Sequence, residues 1–244
     1  MTDSRYAFID RMCQHTSVRR YLPDVVPETD RERILQAAAS ASTSCGLQIT
    51  SIIRVTDPQS RRLLAHYAGD QQQVIDAPEF WVFCIDYDRN LQLLGDADYG
   101  WMEQFLVGCQ DTGIMGQAAM TALESLGYGG CFIGGIRNHI EKVDELLELP
   151  ANVVPLFGLA FGRPAQQNEL KPRLPQSIQV MNERYRAADP SELTQYDEKM
   201  RRYYLSRSEH PKDVSWSQTL SPVLEKERRQ FMLAYLQKKG FCLR

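Results

Sequence analysis

Hydrophobic positions along this chain repeat at two spacings, one typical of helices and the other of strands. The clearest helical stretch spans residues 101–126, where apolar or small residues recur every three or four positions. Its members are Trp101, Phe105, Cys109, Thr112, Gly116, Ala119, Leu123 and Leu126. Such spacing predicts one long helix with a single core-facing stripe. Because glycine and alanine crowd this helix (Gly108, Gly113, Gly116, Ala118, Ala119), we expect close helix–helix packing at a subunit interface.

Shorter elements precede and follow the long helix. Thr29 and Glu32 match a capping box, which predicts a helix from Thr29 to about Ser42. β-Branched residues predict a strand over 48–55, and the apolar run Glu79–Asp86 predicts a strand covered on both faces. Further strands are predicted over 131–133 and 153–162, and further helices over 138–149, 190–207 and 224–239. Helices alternating with such strands indicate an α+β or mixed α/β layer fold.

The composition changes after Arg163, where the chain becomes polar and rich in proline. This change predicts a core over residues 1–163 and a C-terminal arm with helices over 164–244. Such a tail cannot easily bury a core by itself, so we expect it to wrap another part of a dimer.

The overall composition is that of an ordinary globular protein, with 43% hydrophobic and 24% charged residues in 244 positions. A formal net charge of -3 gives no argument for binding nucleic acid or a membrane surface, so any bound anion must be held by local cations. The chain shows no secretory signal and no apolar stretch near the ~20 residues that a transmembrane helix needs. We therefore expect a cytoplasmic protein.

The cysteines and histidines do not predict a metal centre. The six cysteines are widely spread and never form C-x-x-C, which is typical of reduced, mostly buried thiols. The four histidines show no H-E-x-x-H spacing.

The glycine cluster at 127–135 does not match the two common phosphate-binding motifs. A G-x-G-x-x-G motif would need glycine at position 132, which is Phe132, and the cluster follows a helix instead of opening one. The P-loop motif is also absent.

Three other segments place polar or basic groups in loops: His15–Arg20, Ser42–Ser44 with Gly46 and Gln48, and Lys171–Arg173. Pro172 extends the backbone, so residues 171 and 173 are predicted to point the same way and clamp one anion. Each segment alone is more typical of a solvated loop, but three in a chain of negative charge favour an anionic ligand.

The order of motifs along the chain resembles a known family. The motifs that carry this resemblance are His15–Arg19, Ser51–Asp57, Ala77–Cys84, Glu124–Gly135, Leu156–Leu159, Leu170–Pro175 and Tyr203–Arg207. Over essentially its full length, the chain resembles the oxygen-insensitive NADPH nitroreductase A and NADPH-flavin oxidoreductase group of the nitroreductase superfamily. The resemblance implies a central mixed, mainly antiparallel β-sheet flanked by helices, and an intertwined homodimer with FMN at the subunit interface.

The same resemblance implies the site residues. FMN contacts are expected from His15, Thr16, Ser17, Arg19, Thr43, Gln48, Gln71, Gln72, Gln73, Phe132, Ile133, Gly134 and Gly135, and phosphate contacts from Lys171 and Arg173. Arg207 and Arg229 match positions associated with the NADPH phosphate, with Arg228 as the alternative to Arg229. Arg19 is expected to stabilise negative charge on the reduced flavin, and no side chain is assigned as a catalytic acid or base. The family often has Arg where Thr16 stands and usually Ser where Thr43 stands.

The implied function is two-electron, ping-pong transfer of hydride from NADPH through flavin N5 to nitroaromatic or quinone-like acceptors, with the redox chemistry carried by FMN. Two alternatives remain open at this point. One is an NADPH:FMN oxidoreductase that releases free reduced flavin, and the other is a protein that stores or senses flavin without turnover.

Overall fold

A computed structural model of the chain describes residues 4–95, 99–208 and 210–244. The described residues form two compact units. The first unit contains the residues up to Asn168 together with Phe231–Arg244, and the second contains Glu169–Gln230. No helix in the described ranges is long and apolar enough to cross a membrane.

The first unit is organised around a four-stranded sheet. Its strands are β1 (Thr50–Arg54), β2 (Glu79–Asp86), β3 (Gly129–Ile133) and β4 (Val153–Gly162), in the order β1-β2-β4-β3. Every pairing is antiparallel, so the predicted sheet is confirmed in its antiparallel form. β2 is buried at all but its last position, as the continuous apolar run predicted. β3 lies at an edge of this sheet.

Helices cover both faces of the sheet. They are α1 (Ala7–Cys13), α2 (Glu28–Ala39), α3 (Pro58–Tyr67), α4 (Gln73–Asp76), α5 (Asp88–Leu94), α6 (Met102–Ser125) and α7 (Ile140–Leu146). On one face, Ile34 and Ala38 of α2 pack with α6 against Trp81 and Phe83. On the other face, α3, α4 and α7 cover the neighbouring residues of β2. The fold is therefore a sheet between helical layers, as predicted.

The small residues of α6 allow a close approach to the sheet. A Cβ added at Gly108 would lie 2.5 Å from a side-chain carbon of Ile85, and one at Gly116 would lie 2.6 Å from the Phe157 ring. At Gly113 such an atom would meet nothing within 4 Å. Gly108 and Gly116 thus pack against strands, while other residues of α6 pack against α2. The predicted contact of α6 with a second subunit stays a prediction.

The helix predicted from Thr29 is confirmed as α2, but its predicted capping box was wrong. The helix begins at Glu28 after Pro27, whose φ of -56° and ψ of 148° set an extended entry, and no side chain caps it. Thr29 and Glu32 lie inside the helix and form no capping box. The helix predicted over 138–149 is a 3₁₀ segment, Gly134–His139, followed by α7.

The six cysteines are all unpaired, as expected. Only Cys84 and Cys131 are buried, whereas Cys13 and Cys45 are exposed, so the expectation of mostly buried thiols was partly wrong. Burial raises the pKa of Cys84 to about 12, which keeps this thiol protonated and unreactive.

The second unit contains α8 (Gln176–Gln179), α9 (Pro190–Ser206) and α10 (Trp216–Leu224). The predicted helix over 190–207 is confirmed as α9, which Asp189 caps by accepting from the Ser191 amide. α10 was not predicted.

The last helix, α11 (Met232–Lys238), begins eight residues later than predicted and belongs to the first unit. Tyr235, Leu236 and Phe241 pack in its core with Ile85. The side chains of Tyr235 and Lys239 both donate to Asp144, at 2.8 and 3.0 Å. The end of the chain is therefore fixed to the sheet-bearing unit, although the composition predicted that it belongs to the arm.

Candidate functional site

The loop at 15–19 lies beside the edge strand β3. The Val18 amide donates to the Gly130 carbonyl at 3.0 Å, and Gly129 permits this approach because a Cβ there would lie 2.4 Å from a Val18 methyl. Asn168 donates from its side chain to the Ser17 carbonyl at 2.9 Å. These bonds hold the loop as an extension of the sheet edge.

Two predicted residues of this loop face ionisable partners. The His15 Nδ1 atom lies 2.6 Å from Oε1 of Glu124 on α6, so the carboxylate orients the imidazole. Arg19 is exposed and lies close to Cys131 of β3. Burial raises the pKa of the Cys131 thiol, and the positive charge of Arg19 opposes that rise. Thr16 and Ser17 are half-buried in the same loop.

Residues 132–135 occupy the other end of β3. Phe132 is 38% exposed and packs edge-on against Phe157, while Ile133 is buried. Gly134 and Gly135 open the 3₁₀ segment. A Cβ at Gly135 would lie 2.3 Å from the Ala68 carbonyl oxygen and 2.5 Å from Nε2 of Gln71, so only glycine fits there without displacing backbone.

The loop at 71–73 is thereby placed against the same strand end. Gln71 donates to the Ala68 carbonyl at 3.0 Å and accepts from Gln73 at 2.7 Å. Gln72 instead faces outward and donates to Asp76 at 2.8 Å. The structure thus brings three predicted segments, 15–19, 71–73 and 132–135, to one edge of the sheet.

Thr43 and Gln48 lie in a different environment, next to Asp111 in the middle of α6. The Thr43 hydroxyl donates to Asp111 at 2.6 Å, and the Gln48 amide donates to the Thr43 hydroxyl oxygen at 2.9 Å. Thr43, Gln48 and Asp111 line a cavity of about 180 Å³ together with Arg89 and Met115. The predicted flavin residues of the first unit therefore form two groups.

In the second unit, the predicted phosphate ligands lie against α9. The Lys171 ammonium is 5.5 Å from the centre of the Tyr204 ring, and the Tyr196 hydroxyl donates to the Pro172 carbonyl at 3.1 Å. Arg173 lines a cavity of about 620 Å³ with the cations Lys199 and Arg202 and the carboxylates Glu192 and Glu198. In the described ranges, neither Lys171 nor Arg173 forms a salt bridge.

The two predicted NADPH residues also belong to the second unit. Arg207 follows the last turn of α9 and is half-buried. Burial, and the charge of Arg228 next to it, lower the pKa of Arg229. Arg228 itself is exposed and donates to the Pro222 carbonyl at 3.2 Å. An anion near Arg229 would relieve the cost of holding this cation in a partly desolvated position.

Sequence reasoning missed the carboxylates that orient the predicted ligands. Asp111 and Glu124 are buried on α6 at 3% and 8% exposure, among apolar neighbours. A charged residue on the buried face of an otherwise apolar helix was the available signal, because such a group needs a partner. No group of three or more possible metal ligands occurs among the residues that the structure describes.

Two family patterns match consecutive parts of the chain. Residues 13–163 match the Nitroreductase family, and residues 171–244 match the C-terminal domain of the Nitroreductase family.

Curated and solved proteins resemble the chain along almost its whole length. It is 48% identical to the oxygen-insensitive NADPH nitroreductase of Salmonella typhimurium, covering 97% of this chain and 98% of that protein. It is 42% identical to the NADPH-flavin oxidoreductase of Vibrio harveyi, with the same coverage. The crystal structure of nitroreductase A from Vibrio parahaemolyticus superposes with a TM-score of 0.92 at 40% identity, covering 97% of this chain and 98% of that one.

Proposed function

The chain belongs to the nitroreductase family, and from this premise we propose that it is an FMN-dependent NADPH oxidoreductase that reduces nitroaromatic and quinone-like acceptors. FMN, when bound, would supply the two-electron redox chemistry. The protein binds and orients the cofactor, the electron donor and the acceptor.

The observation that carries this proposal is the meeting of three sequence-distant segments at β3. Val18 bonds to Gly130, and Gln71 lies against Gly135, so an extended ligand along this edge meets both loops. The groups at this edge fit FMN. Arg19 supplies an exposed cation and Phe132 an exposed ring. Gln71 and Gln73 supply side-chain amides, and the absence of side chains at Gly134 and Gly135 leaves the backbone accessible. Such a mixture of stacking and polar groups suits a flat, hydrogen-bonding ring.

Each group of residues has a distinct task in the proposed enzyme. Lys171 and Arg173 bind the FMN phosphate through charge-assisted hydrogen bonds. Arg207 and Arg229 bind the phosphate of NADPH. Thr43 and Gln48 contact the cofactor, and Arg19 stabilises negative charge as the cofactor is reduced.

The proposed enzyme is a homodimer. The names of the relatives do not state an assembly, but α1 and α6 expose large apolar side chains that a second copy would cover. Phe8 and Leu106 are each 56% exposed, and Trp101 is 47% exposed. A single monomeric species in sedimentation at micromolar concentration would contradict this assembly.

If Arg19 stabilises the reduced cofactor, removing its charge should lower kcat/KM, whereas removing the charge of Arg20 should not. Arg19→Ala should lower kcat/KM about 10- to 100-fold, because the reduced cofactor loses a nearby cation. Arg20→Ala, which removes the adjacent exposed charge, serves as the control. Wild-type turnover and cofactor content in Arg19→Ala would remove Arg19 from the proposed role.

The first test of the function is an anaerobic absorbance spectrum of the purified protein before and after one equivalent of NADPH. Flavin bands that bleach on addition would support the proposed enzyme. Flavin bands that persist would indicate binding without turnover. A colourless protein that takes up no added FMN would overturn the proposal.

A second candidate differs only in the acceptor. The Vibrio harveyi relative is named for flavin as its acceptor, which favours testing free FMN as a substrate. Steady-state kcat/KM should be compared for a nitroaromatic, a quinone and free FMN with the same enzyme preparation. We expect the nitroaromatic or the quinone to be the better acceptor, and a clear preference for free FMN would reassign the protein as a flavin reductase.

A further inference from the structure

Asp111 is a buried carboxylate whose hydrogen bonds all go to one loop. It lies in the middle of α6 and is 3% exposed. Its Oδ2 accepts from the Thr43 hydroxyl at 2.6 Å and from the Ser44 amide at 2.9 Å, and its Oδ1 accepts from the Ser44 hydroxyl at 2.9 Å. A buried carboxylate without partners would be costly, and here three donors satisfy it.

The loop that Asp111 holds has an unusual backbone. Cys45, Gly46 and Gln48 have φ angles of 50°, 68° and 51°. Residues other than glycine rarely adopt such angles, which cost free energy and persist only where surrounding contacts enforce them. Asp111 accepts hydrogen bonds from Thr43 and Ser44 at the start of this segment. At its other end, the backbone N–H of Gln48 donates to the Thr43 hydroxyl oxygen. The carboxylate therefore determines the shape of the whole loop.

The same bonds determine which polar groups remain available. A hydroxyl has one proton, and the protons of Thr43 and Ser44 both point at Asp111. On the side chains of Thr43 and Gln48, two groups remain for a ligand in the adjoining cavity. Thr43 keeps one acceptor lone pair, and the exposed side chain of Gln48 keeps an amide that both donates and accepts.

We propose that Asp111 is a positioning residue that makes Thr43 a hydrogen-bond acceptor toward the cofactor. This inference rests on the proposed function, in which Thr43 and Gln48 contact FMN. FMN offers few donors, namely the N3–H of the ring and the hydroxyls of the ribityl chain, whereas its carbonyl and phosphate oxygens only accept. Thr43 can therefore bind only a donor group of the cofactor. The side-chain amide of Gln48 can donate to one of the cofactor's acceptor oxygens.

A double-mutant cycle on FMN affinity tests this role. Asp111→Leu replaces the carboxylate by an apolar side chain of similar shape, so the Thr43 proton loses its acceptor and can turn toward the cofactor. Thr43→Val removes the hydroxyl at constant shape. We expect each variant to raise the Kd for FMN about tenfold, and the double variant to do no worse than either single one, because both act through the same contact. The titration uses the full-length protein stripped of cofactor and FMN itself.

Two controls separate positioning from general damage. Thr43→Ser keeps the hydroxyl and should bind FMN within about twofold of the unsubstituted protein. Thr112→Val removes a buried hydrogen bond of the adjacent α6 residue, the 3.0 Å contact between Thr112 and Thr50, without touching the loop. It should change stability while leaving the FMN affinity unchanged.

Hydrogen exchange of the apo protein provides a readout that needs no cofactor. The backbone amides of Ser44 and Gln48 should exchange faster in Asp111→Leu and remain protected in Thr112→Val. Additive losses of FMN affinity in the cycle, or unchanged exchange at both amides, would overturn the inference. If Asp111→Leu does not fold, equal FMN affinities of Thr43→Val and Thr43→Ser would overturn the inference.

Failure of the proposed function gives a different result. In that case the unsubstituted protein itself would not bind FMN, whatever the exchange experiment shows. If it binds FMN and the Asp111 variant binds equally well, the function stands and the positioning role is wrong.

Discussion

The two units of the molecule hold their candidate ligand-binding groups in opposite ways. In the first unit, buried carboxylates on α6 orient the predicted contacts: Glu124 bonds to His15, and Asp111 bonds to Thr43. In the second unit, Lys171 and Arg173 are exposed and form no salt bridge among the described residues. The first unit orients these contacts with its own carboxylates, whereas Lys171 and Arg173 of the second unit have no acidic partner among the described residues.

Because of this difference, substitutions in the two units should affect different quantities, namely the stability of the fold and the affinity for the cofactor. A group held by a buried partner contributes to folding, so its removal affects the fold and the site together. An exposed cation without a partner contributes little to folding, and its removal affects only the binding of the anion. Variants of the two units should therefore differ in which measurement they change.

The largest effect is expected from the phosphate ligands of the second unit. The double variant Lys171→Ala, Arg173→Ala should lose about 100- to 10,000-fold in FMN affinity, because charge-assisted hydrogen bonds contribute roughly 1.5–3 kcal/mol each. The Tm of the apo protein should not change. The measurement is fluorescence titration of FMN together with apo calorimetry.

A charge-matched control is available within the same unit. Arg184→Ala with Lys226→Ala removes two other exposed cations and should leave the FMN affinity nearly unchanged. Equal losses in both double variants would indicate a general electrostatic effect and remove Lys171 and Arg173 from the phosphate site.

The next largest effect concerns the buried ion pair of the first unit. Lys239 is 6% exposed and lies 2.9 Å from Asp144. Lys239→Met should lower the free energy of unfolding by about 2–3 kcal/mol, toward the lower end for a broken buried pair, because Tyr235 still donates to the carboxylate. Chemical denaturation measures this loss.

The adjacent lysine is a matched control for that pair. Lys238 is 73% exposed and lies 3.5 Å from Glu141, so Lys238→Met should change stability by less than about 0.5 kcal/mol. A similar loss in both variants would mean that α11 is not fixed by the Lys239 pair.

A smaller effect is expected for the choice of electron donor. Arg207→Ala and Arg229→Ala should each raise the KM for NADPH about tenfold, equivalent to roughly 1.4 kcal/mol, and leave the KM for NADH nearly unchanged. Arg228→Ala is the control, because Arg228 is exposed and bonds to the Pro222 carbonyl. Parallel increases for both nucleotides would show that neither arginine distinguishes the extra phosphate.

The sequence predicted correctly those elements whose burial is evident from a continuous run of apolar residues. β2 and β4 agree with their predictions at both ends, because long apolar runs mark strands covered on both faces. α3 was missed although Asp57 and Pro58 form an N-terminal signal, since most of its turns are polar. The capping box predicted for α2 was wrong because Pro27 sets the entry of the chain without a capping side chain.

The sequence predicted candidate contact residues but not the carboxylates that orient them, and the contacts themselves stay a prediction. The family motifs indicated Thr43 and His15, whereas their partners Asp111 and Glu124 lie 68 and 109 positions away. Only the packing of α6 on the sheet brings these carboxylates to the loops. No local pattern of residues encodes such a contact, so the polarity of Thr43 could not be read from the sequence.

The smallest effect should come from the aspartates that cap a helix in each unit. Asp57 accepts from the Ser60 amide at the start of α3, and Asp189 accepts from the Ser191 amide at the start of α9. These backbone hydrogen bonds lower the pKa of both carboxyl groups. A depressed folded-state pKa means that the cap stabilises the protein above the unfolded-state pKa. The contribution is lost as the pH falls through the folded-state value.

Asp57→Ala and Asp189→Ala should therefore each lower the Tm slightly at neutral pH and much less at about pH 3. Asp57→Asn and Asp189→Asn serve as controls, because asparagine also caps helices but does not titrate. Calorimetry at the two pH values measures the difference. Since each cap lies on the surface of its own unit, the two aspartates should behave alike. An equal loss of Tm at both pH values in either alanine variant would show that the charge of that aspartate does not stabilise the helix. If this occurred in one unit only, the contrast between the units would extend from the candidate site to the helix termini.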